Sequence, residues 1–320
     1  MRKGFWHIGI LLTILFFAGC SASTIGEPVL PTQPPIPTDT PLPPPNGVLN
    51  TTIPLKDQLQ VNRIAASADR VVLYDTSKGR AVTARIDANG TLVLLQLSDI
   101  GTWSNIVATN DTFFFYNSYN RSGLVARIDA TGALIHVKTY APGSVQFLDT
   151  FVATADRVFG YNSATHEGTV FKFEADGTIT NLKSYTPGNV QEFTNFVATD
   201  TLVFGYDRTT HSGTVFKFEA DGSITNLKSY TPGNVQDLTH FAATADRVFA
   251  YNYQTRSGTV FKFEADGSIT NLKSYAPGNV QQLSFLVGTA DRLIYFNTAT
   301  QTGGISRIDA DGSIINLSTF

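Results

Sequence analysis

The chain has 320 residues, with Lys+Arg 23 against Asp+Glu 26 and a formal net charge of −3. A slightly acidic balance carries no electrostatic footprint for nucleic acid, and the single cysteine excludes an internal disulfide framework or a cysteine-rich metal cluster. With 42% hydrophobic residues the chain has ample apolar surface for a packed core.

Residues 1–20 open with the positive pair Arg2 and Lys3 and continue through an apolar stretch, Ile8 to Phe17, too short to span a membrane. The stretch ends at Phe17-Ala18-Gly19-Cys20, which resembles a bacterial lipobox: small residues precede a cysteine that becomes the lipidated first residue of the mature chain. Ordinary secretory cleavage nearby is the alternative. An exported, surface-exposed, lipid-anchored protein is expected, with Cys20 as the lipidation site. Residues 21–54 read as a disordered Pro/Thr-rich linker. Nine of the fourteen prolines fall within 27–47, a composition that favours extended polyproline II and cannot form a core. A plain spacer and a ligand for a proline-binding partner are both compatible with it.

From residue 55 to residue 320 the chain is a repeat. An acidic-x-x-Gly turn recurs with its glycine at Gly90, Gly132, Gly177, Gly222, Gly267 and Gly312, spaced 42, 45, 45, 45 and 45 residues by subtraction. The block Gly213–Tyr230 is identical to Gly258–Tyr275. Each unit resolves into four short β-rich runs. In the third copy these are 151–154, 157–162, 168–174 and 179–185, with Asp176-Gly177 as a hairpin turn and Pro187-Gly188 leading to the next copy. The first run uses small residues (Ala66, Ala108, Ala153, Ala198, Ala243, Gly288), as strands crowded around an axis require. Seventeen residues before the turn glycines stand Leu73, Phe115, Gly160, Gly205, Ala250 and Tyr295. Six before them stand Ala84, Ala126, Phe171, Phe216, Phe261 and Ser306. Large at one position goes with small at the other, which predicts antiparallel second and third strands with Gly160 near Phe171 on one face. Six units of this length predict an all-β, closed six-bladed β-propeller of four-stranded blades; an open β-solenoid is the alternative.

The unit resembles a class of repetitive bacterial propellers. Trp103-Ser-Asn-Ile-Val107 stands closest to their first strand, Asp156-Arg-Val-Phe-Gly-Tyr-Asn162 and Asp246-Arg-Val-Phe-Ala-Tyr-Asn252 to the second, and Ala126-Arg-Ile-Asp129 to the third. Tachylectin-type propellers share this architecture, and the resemblance implies a lectin-like role.

No nucleophile, base or metal constellation emerges, so the sequence predicts a protein that is not an enzyme and needs no cofactor or metal. His166 and His211 occupy equivalent loops and read as solvated. The turn Asp309 to Gly312 lacks the ligand ladder of a calcium loop. Lys172/Glu174, Lys217/Glu219 and Lys262/Glu264 read as ion pairs between blades, joined by Arg157, Arg247 or Arg292. The candidate binding residues are the pairs that close each second strand: Tyr116-Asn117, Tyr161-Asn162, Tyr206-Asp207, Tyr251-Asn252 and Asn297 after Phe296. An aromatic face beside an amide suits a sugar ring, while Asn that merely starts a turn is the structural alternative. The expected function is non-enzymatic, multivalent binding of a glycan or surface polymer. A protein-interaction or envelope scaffold that takes a surface protein is the other reading.

Overall fold

The computed structural model describes residues 55–320; the expected leader with Cys20 and the proline-rich linker lie outside the described residues. Six four-stranded antiparallel sheets follow one another along the chain, at 63–99, 105–140, 150–185, 195–230, 240–275 and 285–319, here blades 1 to 6. Blade 3 is representative. Its strands are Thr150–Ala153, Val158–Asn162, Glu167–Phe173 and Ile179–Tyr185, paired in sequence order. They fall within one residue of the sequence expectation. A single helical turn, Leu55–Gln58, precedes blade 1.

Each first strand touches the first strands of both neighbouring blades, and blade 1 meets blade 6. The ring is therefore closed. Around its axis main-chain groups link successive blades: Asn110 N–H donates to the Ala155 carbonyl (3.0 Å), Ala155 to Asp200 (3.2 Å), Asp200 to Ala245 (3.3 Å) and Ala245 to Ala290 (3.0 Å). Backbones this close leave no space for side chains, which explains the small residues of the first strands. At Gly288 a Cβ would collide with the Ala243 carbonyl.

The second strands of blades 3, 4 and 5 are buried along their whole length (Val158, Phe159, Gly160, Tyr161 and Asn162 in blade 3), whereas fourth strands alternate toward solvent. An inner strand flanked on both faces reads as a continuous apolar run rather than an alternating one. The core is accordingly divided among six seams. Between blades 3 and 4, for example, Val152, Phe159 and Val170 pack with Phe193, Val203 and Phe216. The final seam is sealed from the amino-terminal side, where Leu59 and Val61 are buried between blade 6 and blade 1 beside Ile294, Phe296 and Ile305.

The signature glycine has a role that its turn alone does not explain. All six adopt φ between +79° and +93°. Each also abuts the fourth strand of the preceding blade, where a β-bulge leaves one residue without a partner. Register shifts set aside Leu95, Val137, Leu182, Leu227, Leu272 and Leu317 in blades 1 to 6. A Cβ on Gly267 would lie 2.5 Å from Leu227 Cβ, and one on Gly312 2.7 Å from Leu272 Cβ; Gly90, Gly132, Gly177 and Gly222 meet Leu317, Leu95, Val137 and Leu182 in the same way. The glycine carbonyl then accepts a hydroxyl from that preceding blade. Gly90 takes Ser318 Oγ (2.6 Å), Gly132 takes Thr83 Oγ1 (2.6 Å), and Gly177, Gly222, Gly267 and Gly312 take Tyr140, Tyr185, Tyr230 and Tyr275.

One expectation holds and one is corrected. Second and third strands pair antiparallel and Gly160 and Phe171 share a face as diagonal neighbours: Gly160 opposes Thr169, and Phe171 opposes Val158. The space above Gly160 is filled by Leu148 and Phe151, and that above Gly205 by Phe193, whose ring lies 6.3 Å from Phe216. The size exchange therefore runs through a side chain from the inter-blade loop. The ion pairs Lys172–Glu174 (3.0 Å), Lys217–Glu219 (3.1 Å) and Lys262–Glu264 (3.0 Å) lie within single strands, and Arg157 and Arg247 pair with the adjacent Asp156 and Asp246. A spacing of two residues on a strand places both charges on one half-exposed face, so neither partner reaches the next blade.

Gly222 and Gly233 share φ +81°, but nothing lies within 4 Å of a Cβ on Gly233. Gly233→Ala is expected to cost about 1 kcal/mol for the left-handed backbone alone, and Gly222→Ala at least about 2 kcal/mol more, in equilibrium urea unfolding. Equal losses would show that the close approach contributes nothing.

Candidate functional site

The predicted rim residues are drawn into the fold. Tyr116, Tyr161, Tyr206 and Tyr251 are at most 1% exposed. Their rings lie in the seams, and the hydroxyls of three clamp the loop that leaves the blade. Tyr116 donates to the Gln146 carbonyl (3.1 Å) and accepts from Leu148 N–H (3.3 Å); Tyr161 bridges Gln191 and Phe193 likewise, and Tyr206 bridges Gln236 and Leu238. Tyr74 does the same in blade 1, with Gly101 and Trp103. In blade 6 the equivalent residue is Phe296, stacked at 6.3 Å on Phe320. Burial raises the pKa of each of these phenols and pushes Tyr74 to about 12.

The paired polar residues close the following turns. The Oδ1 atoms of Asn117, Asn162, Asn252 and Asn297 accept N–H groups two and three residues ahead, and Asp207 Oδ1 accepts Thr209 N–H. The amide nitrogens of Asn117, Asn252 and Asn297 donate to the carbonyls of Thr102, Asp237 and Gln282. The expectation of an open aromatic–amide platform is thus corrected: the rings are buried, and the amides serve the Asx turns. In four of these loops a non-glycine residue is held at φ near +55° (Arg121, His166, His211, Arg256), and its carbonyl accepts the N–H of Val145, Val190, Val235 or Val280 from the inter-blade turn.

That turn lines the clefts that the sequence did not reveal. Three occur at equivalent seams. Between blades 2 and 3 the walls are Tyr140, Val145, Gln146, Leu148, Thr169 and Phe171, with Ile179 and Asn181 outside, around about 140 Å³. Between blades 4 and 5 the same positions hold Tyr230, Val235, Gln236, Leu238, Thr259 and Phe261, around about 240 Å³. Between blades 5 and 6 a cleft of about 180 Å³ again has Tyr275, Val280, Gln281 and Leu283. Each therefore combines an apolar floor with converging amide and hydroxyl groups. Thr169 Oγ1 donates to Gln146 Oε1 (2.7 Å) and Thr259 Oγ1 to Asn271 Oδ1 (2.6 Å), which leaves the amide nitrogens as donors for other partners. Burial raises the pKa values of Tyr140, Tyr230 and Tyr275, so these phenols stay neutral near pH 7. The signal for these clefts was present in the sequence as the Val-Gln dipeptide that recurs at 145, 190, 235 and 280 after the Pro-Gly turns. Among the described residues no group of three or more His, Cys, Asp or Glu converges to hold a metal.

Tyr161→Phe is expected to lower stability by about 1 kcal/mol in urea unfolding, since it removes the clamp on Gln191 and Phe193. The phenols also set an alkaline limit. Folded tyrosines hold protons that unfolded ones release above pH 10.0, so stability is complete below that pH and declines as pH rises toward the Tyr74 value of about 12. A urea midpoint that stays constant across this window would remove the buried phenols as the cause.

No protein-family profile matches the chain, nor does any curated protein. Solved structures do. A protein from Lactobacillus plantarum is 17% identical, with TM-score 0.52 over 80% of this chain and 83% of its own. Prp20p from Saccharomyces cerevisiae, described with its binding to Gsp1p and histones, is 8% identical, with TM-score 0.54 over 85% and 80%. A candidate 6-phosphogluconolactonase from Bacteroides uniformis is 10% identical, with TM-score 0.51 over 77% and 80%. The similarity at these identities is one of fold. It nevertheless corrects the expectation that the chain is not an enzyme, which leaned on the lack of a catalytic constellation in the sequence: a structure named as a candidate 6-phosphogluconolactonase shares the fold, so the fold is compatible with catalysis.

Proposed function

We propose that the propeller binds saccharide units in its inter-blade clefts, and that the chain is exported and held at the cell surface through Cys20 and the proline-rich spacer. The recurrence of one cleft chemistry at three seams carries the reading. A sugar ring has a C–H face that favours apolar contact and hydroxyls that need fixed partners. Leu148, Leu238 and Leu283 supply the first, while Gln146, Gln236, Gln281 and the neighbouring Thr and Asn side chains supply the second. Clefts of about 140 to 240 Å³ suit one small ring rather than an extended chain. Weak binding at each would add through repetition when the ligand is itself repetitive. The leader supports export, and a lipid anchor with an extended spacer fits presentation of such a disc to a polymer outside the cell.

The test is binding of the detergent-solubilised full chain to an array of neutral hexoses, N-acetylhexosamines and uronic acids. The triple variant Gln146→Ala, Gln236→Ala, Gln281→Ala is expected to lose at least about tenfold in avidity while its urea midpoint changes by no more than about 1 kcal/mol equivalent. Retention of avidity by this variant removes the clefts as the site. A blank array with a folded protein would favour a disc that binds a protein, as described for Prp20p.

A further inference from the structure

The cleft between blades 5 and 6 breaks the pattern of the others. In blades 3, 4 and 5 the second strand carries Gly160, Gly205 or Ala250, opposite Thr169, Thr214 or Thr259, and the third strand carries Phe171, Phe216 or Phe261 two positions on. Blade 6 exchanges all three at once. Tyr295 stands on the second strand (Leu293–Asn297), Gly304 opposes it on the third (Thr302–Ile308), and Ser306 replaces the phenylalanine. The exchange is sterically coupled: a Cβ on Gly304 would collide with the Tyr295 phenol, so the ring can lie across the third strand only over a glycine.

The result is a different floor. Where the clefts beside blades 3 and 5 end on a phenyl ring, this one ends on a phenol and a serine, enclosed by Leu283, Leu286 and Leu293, and the exposed Asn316 stands where Asn181 and Asn271 edge the other two. Ser306, 1% exposed, donates to Asn316 Oδ1 at 2.7 Å. The Tyr295 hydroxyl donates to the same oxygen at 3.5 Å, the long limit of a hydrogen bond, and an amide oxygen with two lone pairs takes both donors. The phenol is thus a weakly held donor inside a partly apolar cleft, which a ligand oxygen at ordinary hydrogen-bond distance can take over, while Asn316 stands at the exposed edge. Tyr295 is half-buried rather than sealed, in contrast to the clamp tyrosines of the second strands.

We infer that the cleft between blades 5 and 6 is a second specificity site, taking a saccharide unit that sets a hydroxyl or carbonyl oxygen against the Tyr295 phenol, where the phenylalanine-floored clefts take an apolar ring face. This rests on the saccharide reading of the clefts. A site that hydrogen-bonds a ligand oxygen through a partly buried donor discriminates against a ligand that leaves the donor unpaired more strongly than an apolar floor does. The protein would then read two units of one heteropolymer.

The test compares wild-type full chain with Tyr295→Phe on the same array, with urea unfolding as the folding control. One subset of saccharides is expected to weaken at least about tenfold on removal of the single hydroxyl, while the rest keep their affinity. A second variant, Ala250→Tyr with Thr259→Gly and Phe261→Ser, rebuilds the cleft between blades 4 and 5 in the same form and is expected to raise the stoichiometry for that subset. Saccharides that bind wild-type with a profile unmoved by Tyr295→Phe would overturn the second site and leave the general reading standing. Uniform weakening of every saccharide would also overturn it. A wild-type chain that binds no saccharide would overturn both.

Discussion

The bulged residue of one blade set against the turn glycine of the next is the joint on which the disc depends. A β-bulge frees one side chain from the ladder, and the left-handed glycine offers a surface with no Cβ to obstruct it. Because the glycine carbonyl also accepts a hydroxyl from the preceding blade, each joint combines a steric fit with a directional bond. The pair recurs at all six seams, while the backbones of the first strands meet at the axis.

A second set of bonds handles connectivity. Tyr74, Tyr116, Tyr161 and Tyr206, at the ends of second strands, hold the chain as it passes from one blade to the next. This logic also accounts for the half-open clefts. The loop that the tyrosine clamps cannot sink fully into the seam, so the Val-Gln segment stands over the apolar residue behind it and leaves a space between the two blades.

Much of the architecture was legible in the sequence because the repeat samples one structural problem six times. Turn glycines gave the blade count, small first-strand residues gave the axis, and coupled size changes gave the strand pairing. The site was less legible for a reason visible in Tyr161 and Asn162. A tyrosine beside an amide has the same composition whether it stacks on a ligand or clamps its own chain, and only the position of the following loop decides. The bulges were hidden as well, since Leu182 in Ile-Thr-Asn-Leu reads as an ordinary inward position until the register is known. The blade 6 exchange is the intermediate case: Tyr295 and Ser306 stood out as a size swap, but Gly304, which makes the swap possible, did not belong to the pattern that revealed it.

The near-identity of blades 4 and 5 acquires meaning from the uniform joint. Recombination between the coding segments for Gly213–Tyr230 and Gly258–Tyr275 inserts or deletes a whole 45-residue unit, the spacing between Gly222 and Gly267, and leaves every flanking bulge facing a glycine. Such an event preserves each neighbour contact and disturbs only the closure of the circle, where the first strands meet. Inheritance of this fold is therefore modular along the chain but quantised around the axis: the gene can change in steps of one blade, and closure of the circle selects the copy number that survives.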